Sequence, residues 1–309
     1  LGKPMKEPQD VPFEKEGKYL KSDNRNNISY FLEHNVLLRR FTLSVGVLAN
    51  YNSALNEGIH FYPGIDASYR IGDNVRLYGS WNRALRMPTF TDLYYEGKTN
   101  KGNPDLKPEE SEAFEVGLKY NTYFLRAHIA GFYRKGKNMI DWVKEKPEDI
   151  WESRNLTKVD NLGFETNLSL LPRELGNERF FIRKIELGYA FIHQDKDSEG
   201  YISNYALDYL KHKFTAQLSH SIWKGFSATW YVRWQDRAGS YTKYENLKPA
   251  YEEDYAPYCL VDVKVNWEYK GLNLYAELNN LLNSTYYDLG NIPQPGIWFK
   301  AGFRYSFKY

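Results

Sequence analysis

Apolar and polar residues alternate along most of the chain with a period of two. In the last such segment Phe299, Phe303 and Tyr305 share one parity, whereas Lys300 and Arg304 share the other. Successive side chains of a β-strand point to opposite faces, so this pattern predicts strands with one apolar and one polar face. A slip of one residue would move these cations to the apolar face, at roughly 2–4 kcal/mol for each cation near the centre of a bilayer.

The same alternation predicts about 13 strands of about 10–14 residues, which is long enough to cross a bilayer at a tilt. The predicted strands cover residues 28–37, 41–51, 59–70, 75–86, 111–121, 123–136, 158–171, 180–194, 208–221, 225–237, 258–269, 272–281 and 297–308. The connections between them alternate between short turns and longer loops. The longer loops are predicted near 52–58, 87–110, 137–157, 195–207, 238–257 and 282–296.

Short periplasmic turns and long extracellular loops are typical of outer-membrane barrels. The predicted fold class is therefore all-β, an antiparallel transmembrane β-barrel. The alternative is a large soluble all-β protein, a sandwich or a propeller. Its strands would more often run about 5 or 6 residues, and its loops would have no reason to be sorted by length between two ends.

Composition supports the barrel. Aromatic residues make up 17% of the 309 residues, with 27 Tyr and 8 Trp, and these two residue types collect where an apolar surface meets water. The sequence has no run of about 20 apolar residues, which excludes an α-helical membrane protein. A net charge of +2, with bases scattered among acids, gives no reason to expect a nucleic-acid partner. The single Cys259 cannot form an intramolecular disulfide, and a packing role is expected for it.

The stretch 81–120 is the most specific feature of the sequence. A predicted strand ends in Arg86-Met87-Pro88, and a loop with Gly-Asn-Pro-x-Leu-x-Pro-Glu follows. This stretch closely resembles the barrel of the TonB-dependent receptors. The prolines end strand pairing because they lack a backbone donor, so a purely structural role in the loop is the simpler interpretation. The loop motif comprises Gly102, Asn103, Pro104, Leu106, Pro108 and Glu109.

Two further segments carry the same resemblance. Residues 276–288, AELNNLLNSTYYD, are similar to the penultimate strand of that family and the loop after it. The C-terminal segment KAGFRYSFKY resembles the signal that is read by the bacterial barrel-assembly machinery. That signal would comprise Lys300, Gly302, Tyr305, Phe307 and Tyr309.

The resemblance implies a 22-stranded barrel that is closed by an N-terminal plug and energised by TonB through the plug. The chain would supply the C-terminal barrel strands, residues 28–309, after an extracellular loop segment, residues 1–27. An odd number of strands leaves two open edges, so we expect the plug and early strands as a separate chain or a missing part of the same receptor. Other expected partners are the lipid bilayer and a surface lipoprotein. The expected location is the outer membrane of a Gram-negative bacterium.

By resemblance, the expected function is TonB-dependent uptake of a scarce nutrient. The residues of the 81–120 stretch resemble those of cobalamin-type receptors, and this resemblance implies that the nutrient is cobalamin or another corrinoid. A ferric siderophore or haem is the alternative. Haem receptors usually have a His between the two motifs, and this chain has none between Arg86 and Leu106. Aromatic residues that we expect on extracellular loops could stack on a large ring, with Arg86 near an anionic group, or could simply pack the loops. These candidates are Phe90, Tyr94, Tyr95, Trp151, Tyr241, Tyr244, Tyr286 and Tyr287.

Catalytic chemistry has no sequence signal. The six His residues lack the paired spacing of a zinc site, and there is no nucleophile elbow, P-loop or dinucleotide-binding fingerprint. We therefore expect neither a metal nor a cofactor, and no enzyme activity. An outer-membrane barrel enzyme remains the alternative from another functional class.

Overall fold

The computed structural model describes residues 24–53, 58–146, 148–176, 179–197, 200–203, 209–245, 248–290 and 292–307. These residues form β-strands with one short α-helix and one short 3-10 helix. The helices are α1 (Phe90–Tyr94) and Pro172–Leu175. The strands are β1 (Asn27–Leu37), β2 (Phe41–Asn52), β3 (Ile59–Arg70), β4 (Val75–Arg86), β5 (Asn100–Lys101), β6 (Glu109–Asn121), β7 (Leu125–Lys144), β8 (Trp151–Leu170), β9 (Ile182–Asp197), β10 (Ile202–Ser203), β11 (Tyr209–Trp223), β12 (Phe226–Ala238), β13 (Ser240–Glu245), β14 (Lys248–Asp254), β15 (Tyr258–Tyr269), β16 (Leu272–Asn279), β17 (Tyr287–Leu289), β18 (Ile292–Pro293) and β19 (Trp298–Tyr305).

Thirteen of the described strands form one antiparallel path, each next to its neighbour in chain order. The path runs β1-β2-β3-β4-β6-β7-β8-β9-β11-β12-β15-β16-β19. β13 and β14 form a separate hairpin, and β17 pairs with β18. This is part of a barrel wall, and it confirms the predicted fold class.

The register puts apolar side chains in continuous rows across the outer face of the sheet. One row crosses six strands and consists of Val45, Ile65, Trp81, Phe114, Tyr133 and Leu162. A second row contains Phe303, which lies opposite Leu274. Phe303 is 74% exposed and Val45 is 43% exposed. Large apolar side chains that stay exposed along whole rows are stable only against lipid, so this face is the bilayer-facing one.

The opposite face is polar and lines the lumen. Lys264, Glu277 and Lys300 lie side by side on three neighbouring strands, and Lys300 Nζ lies 3.0 Å from a carboxylate oxygen of Glu277. A groove of about 590 Å³ lies on the described part of this face, and Arg126 and Glu186 are among its lining residues. The polar parity of the sequence is thus the water-facing one.

Connections at one end of the sheet are short. Among the described turns at this end are 38–40, 71–74, 122–124, 224–225 and 270–271. Longer connections occur at the other end, as predicted, but one of the expected loops is wrong. Residues 137–157 are not a long loop, because β7 reaches Lys144 and β8 starts at Trp151. The predicted connection 238–257 does join β12 to β15, and most of it folds as the β13–β14 hairpin.

The path has two ends, β1 and β19, and no pairing joins them within the described residues. The predicted loop segment 1–27 lies outside the described residues as far as residue 23, and its placement stays a prediction. Across the described part of the chain, no helix is both long enough and apolar enough to span a bilayer.

Candidate functional site at the long-loop end

The connection after β4 folds into α1 because Thr89 caps it. The Thr89 hydroxyl accepts a hydrogen bond from the Asp92 backbone N–H at 3.1 Å, and the Thr89 backbone N–H donates to the Asp92 carboxylate at 3.0 Å. This reciprocal pair is a capping box, which satisfies donors that the first helical turn leaves free. Asp92 is buried. The sequence signal was Thr-x-x-Asp, directly after the Arg-x-Pro turn.

Gly102 and Asn103 hold the returning chain against this helix. Gly102 N–H donates to the Tyr95 carbonyl at 2.6 Å, and Asn103 N–H donates to the Asp92 carbonyl at 2.9 Å. A Cβ atom on Gly102 would lie 2.8 Å from the carbonyl carbon of Leu93, so only glycine permits this close approach. The Asn103 side chain then accepts from the Asp105 N–H at 2.9 Å and turns the chain at Pro104.

Glu109 closes the motif by joining three strands. It lies opposite Arg86 in the β4–β6 register. Its carboxylate accepts two hydrogen bonds from the Arg86 guanidinium and a third, at 2.7 Å, from the Ile140 backbone N–H. Glu109 is 7% exposed, whereas the Arg86 side chain is 54% exposed. Arg86 therefore has a structural partner and still presents part of its surface at the mouth.

Asn155 on β8 holds the part of the loop motif around Lys107 by side-chain hydrogen bonds. Its side chain accepts from the Lys107 N–H at 2.8 Å and donates to the carbonyls of Lys107 at 2.9 Å and Asn138 at 2.6 Å. Leu106 is buried beside this contact, and Pro108 is half-buried. The sequence reasoning did not single out Asn155, because nothing local links it to residues 48 positions earlier.

The upper part of the β7–β8 hairpin lies between two crossing segments. Residues 95–108 lie on the lumenal parity of the hairpin, where the Tyr95 ring meets the Trp142 ring edge-on at 6.3 Å. Residues 201–203 lie on the other parity, where Tyr201 packs on the Arg154 guanidinium at 4.8 Å and Ser203 bonds to Asp141. β5 pairs with β8 and β10 pairs with β7, so each segment also extends the sheet. We name this arrangement the clasp.

The clasp is among the best-packed parts of the described chain. Asp141 and Val143 are each 1% exposed, and Ser153 is 0% exposed. This burial occurs above the rows of lipid-facing side chains. The wall at this point is therefore a rigid element rather than a loose loop.

The predicted aromatic candidates fall into two groups on different connections. In the first group, Phe90 stacks on Tyr94 at 6.3 Å with Arg25 above the Phe90 ring at 5.0 Å. Tyr95 is 49% exposed. Trp151 is a strand residue of β8 and not a loop residue, and Lys144 Nζ lies 4.6 Å from its ring centre.

The second group surrounds the β13–β14 hairpin. Tyr241 stacks on Tyr287 at 5.2 Å and meets Tyr255 at 5.1 Å. Tyr286 packs against Tyr258 at 4.6 Å. Tyr241 is only 7% exposed, so its ring is enclosed by Tyr255 and Tyr287 and has little surface left for a solute. The side chain of Tyr244 lies outside the described residues, as does Tyr309 at the C-terminus.

The hairpin carries an ionised network. Burial, together with a hydrogen bond to Glu253, raises the pKa of Tyr241 to about 12. The hydrogen bond from Lys243 lowers the pKa of Glu253, and the same contact raises the pKa of Lys243. Lys243 Nζ lies 2.7 Å from the carboxylate. At neutral pH this network therefore holds a protonated tyrosine, a carboxylate and an ammonium group together.

The C-terminal segment has the geometry expected of a terminal barrel strand. A Cβ atom on Gly302 would lie 2.5 Å from the Tyr275 hydroxyl, so a larger residue at this position would require the Tyr275 ring to move. Lys300 lies 4.3 Å from the Trp298 ring centre, and Tyr305 meets Phe307 edge-on at 4.8 Å. Recognition by the assembly machinery stays a prediction. No cluster of three metal-binding side chains occurs within the described ranges.

A sheet with a lipid-facing apolar side, a polar lumenal side and long connections gathered at one end is the wall of an outer-membrane β-barrel. The family model of the TonB dependent receptor-like β-barrel matches residues 7–281. The chain belongs to this family of receptors of the Gram-negative outer membrane, as the sequence resemblance predicted. The family consists of receptors and transporters rather than enzymes.

Known relatives include two kinds of receptor. The chain is 26% identical to the vitamin B12 transporter BtuB of Vibrio vulnificus over 191 residues, which are 56% of this chain and 30% of that protein. It is 22% identical to the ferrienterobactin receptor of Escherichia coli over 297 residues, which are 87% of this chain and 38% of that protein. The chain thus matches well under half the length of these curated relatives.

Solved structures show the same fold. A ferric enterobactin receptor (PfeA) mutant from Pseudomonas aeruginosa superposes with a TM-score of 0.73 at 19% identity, over 98% of this chain and 48% of that chain. The FrpB iron transporter from Neisseria meningitidis superposes with a TM-score of 0.69 at 17% identity, over 92% of this chain and 45% of that chain. The thirteen-strand path corresponds to about half of such a protein.

Proposed function

We propose that the chain forms the outer wall and part of the ligand surface of a TonB-dependent receptor that actively imports a scarce nutrient and catalyses no reaction. One observation supports this most directly. The long connections fold into a rigid, polar and aromatic mouth above a lumen that is lined with charged side chains. Such a mouth can bind a solute outside the cell, and the lumen offers a hydrated route inward.

The unpaired edges of β1 and β19 indicate that further β-strands pair with this sheet. Unpaired backbone groups at a strand edge cost several kcal/mol each in lipid. Further strands must therefore pair with β1 and β19, and we propose that they come, with the plug, from additional polypeptide of the same receptor. TonB would act through that plug. A surface lipoprotein stays a proposed partner that no contact in the structure addresses.

The mass of the receptor extracted from outer membranes tests this proposal. We expect polypeptide for additional strands and a plug, within the same chain or in a second chain that copurifies with it. A functional receptor that consists of these 309 residues alone would contradict the proposal.

We propose cobalamin or another corrinoid as the ligand. The similarity to vitamin B12 transporters supports this choice. The exposed ring of Tyr95, next to Trp142, offers an apolar face to a large ring compound, and the exposed part of Arg86 offers a cation at the same end of the barrel. A ferric siderophore is the second candidate, because the alignment with the ferrienterobactin receptor covers 87% of the chain.

Titration of the assembled receptor with cyanocobalamin, ferric enterobactin and haem, side by side, tests the ligand. We expect the tightest binding for cyanocobalamin. Tyr95→Ser should weaken it by about fivefold, since an aromatic contact contributes roughly 1 kcal/mol. The matched control is Tyr123→Ser, because Tyr123 is 69% exposed at the opposite, short-turn end; this variant should bind normally. Binding of ferric enterobactin without detectable corrinoid affinity would reject our choice and favour the siderophore.

A further inference from the structure

Two arginines share one hydroxyl group on the lumenal face of the wall, at its short-turn end. Arg173 Nη2 donates to Ser221 Oγ at 2.6 Å, and Arg183 Nε donates to the same oxygen at 2.8 Å. Along β11, Ser221 has the same parity as Ser219, whose register partners lead across the sheet to the lumenal Lys264. The two guanidinium groups therefore meet on the lumenal side, and we name Arg173 and Arg183 the arginine pair.

The backbone sets the positions of both side chains. Relative to β11, β9 has one extra residue, Arg183, and a bulge of this kind re-aims the side chain that it carries. Arg173 Nε donates to the Phe180 carbonyl at 2.9 Å, which fixes the plane of its guanidinium group. The Ser221 backbone N–H donates to the Phe181 carbonyl at 2.7 Å and holds the end of β11 against the same turn. The arginine pair is thus a built arrangement.

The arginine pair has no counter-charge in the described part of the wall. No carboxylate of the described residues lies within ion-pair distance of Arg173 or Arg183. Like charges held this close repel each other, so an anion beside them would be stabilising. The two arginines occupy both lone pairs of the Ser221 oxygen, which leaves its O–H proton free to donate. All remaining polar hydrogens of the cluster are donors, which is the composition of an anion site.

The lumenal groove of about 590 Å³ lies on the same face as the arginine pair. Gln217 lines the groove, and it precedes Ser221 by four positions on the same parity of β11. At about 3.3 Å per residue along a strand, roughly 13 Å separates these two positions. The groove and the arginine pair therefore form one surface that runs down to the short-turn end of the lumen.

Positive charge is in excess along this surface. The charged lining residues of the groove are Lys119, Arg126, Arg233, Glu186 and Asp262. Glu186 is already paired with Lys184, whose Nζ lies 2.7 Å from its carboxylate. Neither Arg126 nor Arg233 has an ion pair within the described ranges. The surface is therefore complementary in charge to an acidic partner.

We propose that the arginine pair and Ser221 bind the carboxylate of an aspartate or glutamate in the polypeptide that fills the barrel. The proposal rests on the proposed function, in which additional polypeptide of the same receptor supplies the plug. Polypeptide inside the lumen packs against this face, whereas lipid contacts the opposite parity. The carboxylate accepts charge-assisted hydrogen bonds from both guanidinium groups and one from the Ser221 hydroxyl. This contact ties the plug to the wall at the short-turn end.

A zero-length cross-link in the assembled receptor tests the contact. Arg183→Lys places a primary amine in the cluster, and a water-soluble carbodiimide joins an amine to a carboxylate that touches it. We expect mass spectrometry of the digested receptor to show residue 183 linked to an aspartate or glutamate outside residues 1–309. The parent protein, which has no amine at this position, is one control. The native Lys224 is the second, because it lies 5.3 Å from the ring centre of Trp223, on the lipid-facing parity, and should give no such link.

Hydrogen exchange measures the strength of the contact. In Arg173→Gln/Arg183→Gln, the backbone amides around the linked carboxylate should exchange about tenfold faster than in the parent receptor, since charge-assisted hydrogen bonds are lost. The matched control Lys224→Gln/Lys270→Gln removes the same charge at the same end. Its two lysines lie over Trp223 and Tyr269 on the lipid-facing parity, so exchange of these amides should stay within about twofold of the parent's.

Distinct results would overturn the inference. Additional polypeptide detected by mass, with no link from residue 183 or with links only to carboxylates inside residues 1–309, would refute it and leave the proposed function standing. Equal exchange in the arginine variant and the lysine control would show that general charge, and not this cluster, acts on the plug. Loss of the link in millimolar inorganic phosphate, while the plug stays bound, would assign the cluster to a small free anion. A functional receptor without additional polypeptide would contradict the proposed function itself.

Discussion

Glu109→Gln is the substitution for which the structure gives the clearest expectation. Glu109 is 7% exposed and accepts three hydrogen bonds, two from Arg86 and one from the Ile140 backbone. Glutamine keeps one acceptor oxygen but loses the charge and places an amide NH₂ against the guanidinium. Breaking a buried ion pair costs about 3–5 kcal/mol, and the half-exposed Arg86 can recover water, so we expect about 2–3 kcal/mol of local destabilisation.

Hydrogen exchange of the backbone amides in the assembled receptor measures this local destabilisation residue by residue. The Ile140 amide and the amides of residues 89–108 should exchange about 30- to 150-fold faster in the variant, which is the same 2–3 kcal/mol as a ratio of rates. Amides of the lipid-facing strands far from the mouth should be unaffected.

The neighbouring residue supplies the control. Glu110 also faces an arginine, but its side chain and that of Arg83 are 44% and 42% exposed, and the closest atoms are 3.7 Å apart. An exposed pair contributes about 0–1 kcal/mol, so Glu110→Gln should change exchange by less than about fivefold. If the two variants behaved alike, burial of Glu109 would not be the cause, and our account of the motif would fail.

Three further predictions concern the mouth. Gly102→Ala should loosen α1, seen as faster exchange of residues 90–95, because its Cβ would lie 2.8 Å from Leu93; unchanged exchange would contradict the tight approach. Asn155→Ala should destabilise the loop motif by about 1–3 kcal/mol, because three hydrogen bonds are lost. The Lys107 amide should then exchange faster, whereas a change limited to β8 would contradict the contact between Asn155 and the loop. The Tyr241 phenol has a raised pKa of about 12 against 10.0, so its stabilising contribution is complete below pH 10 and is lost as the pH rises towards about 12. The ultraviolet difference spectrum between the parent and Tyr241→Phe should show that late phenolate transition, and a midpoint near 10 would disprove the buried hydrogen bond.

The alternation of the sequence was enough to predict the wall. The bounds of β3, β4 and β15 agree with the prediction residue for residue, since one apolar parity in lipid fixes both the length and the register of a strand. The upper parts of β7 and β8 were missed for the same physical reason. They lie above the bilayer, where no apolar parity is required, and the pattern there resembles that of a loop.

The site was less predictable, because its contacts are distant in sequence. The Gly-Asn-Pro-x-Leu-x-Pro-Glu motif marked the right loop, but the partners Asn155 and Ile140 come from other strands. Composition could not separate Tyr95, which is 49% exposed, from Tyr241, which is 7% exposed. Only the packing of the β13–β14 hairpin distinguishes a ring available to a solute from a ring enclosed by other tyrosines.

The clasp also constrains the order in which the chain can assemble. The segments 95–108 and 201–203 extend the β7–β8 hairpin at its two opposite edges, through β5 on β8 and β10 on β7, so neither can dock before that hairpin exists. The first of these segments is made well before its docking surface, and it must wait, with only its local turns and its contacts to α1, until about fifty more residues have emerged. Maturation of the mouth therefore follows completion of β8 and cannot proceed in simple chain order.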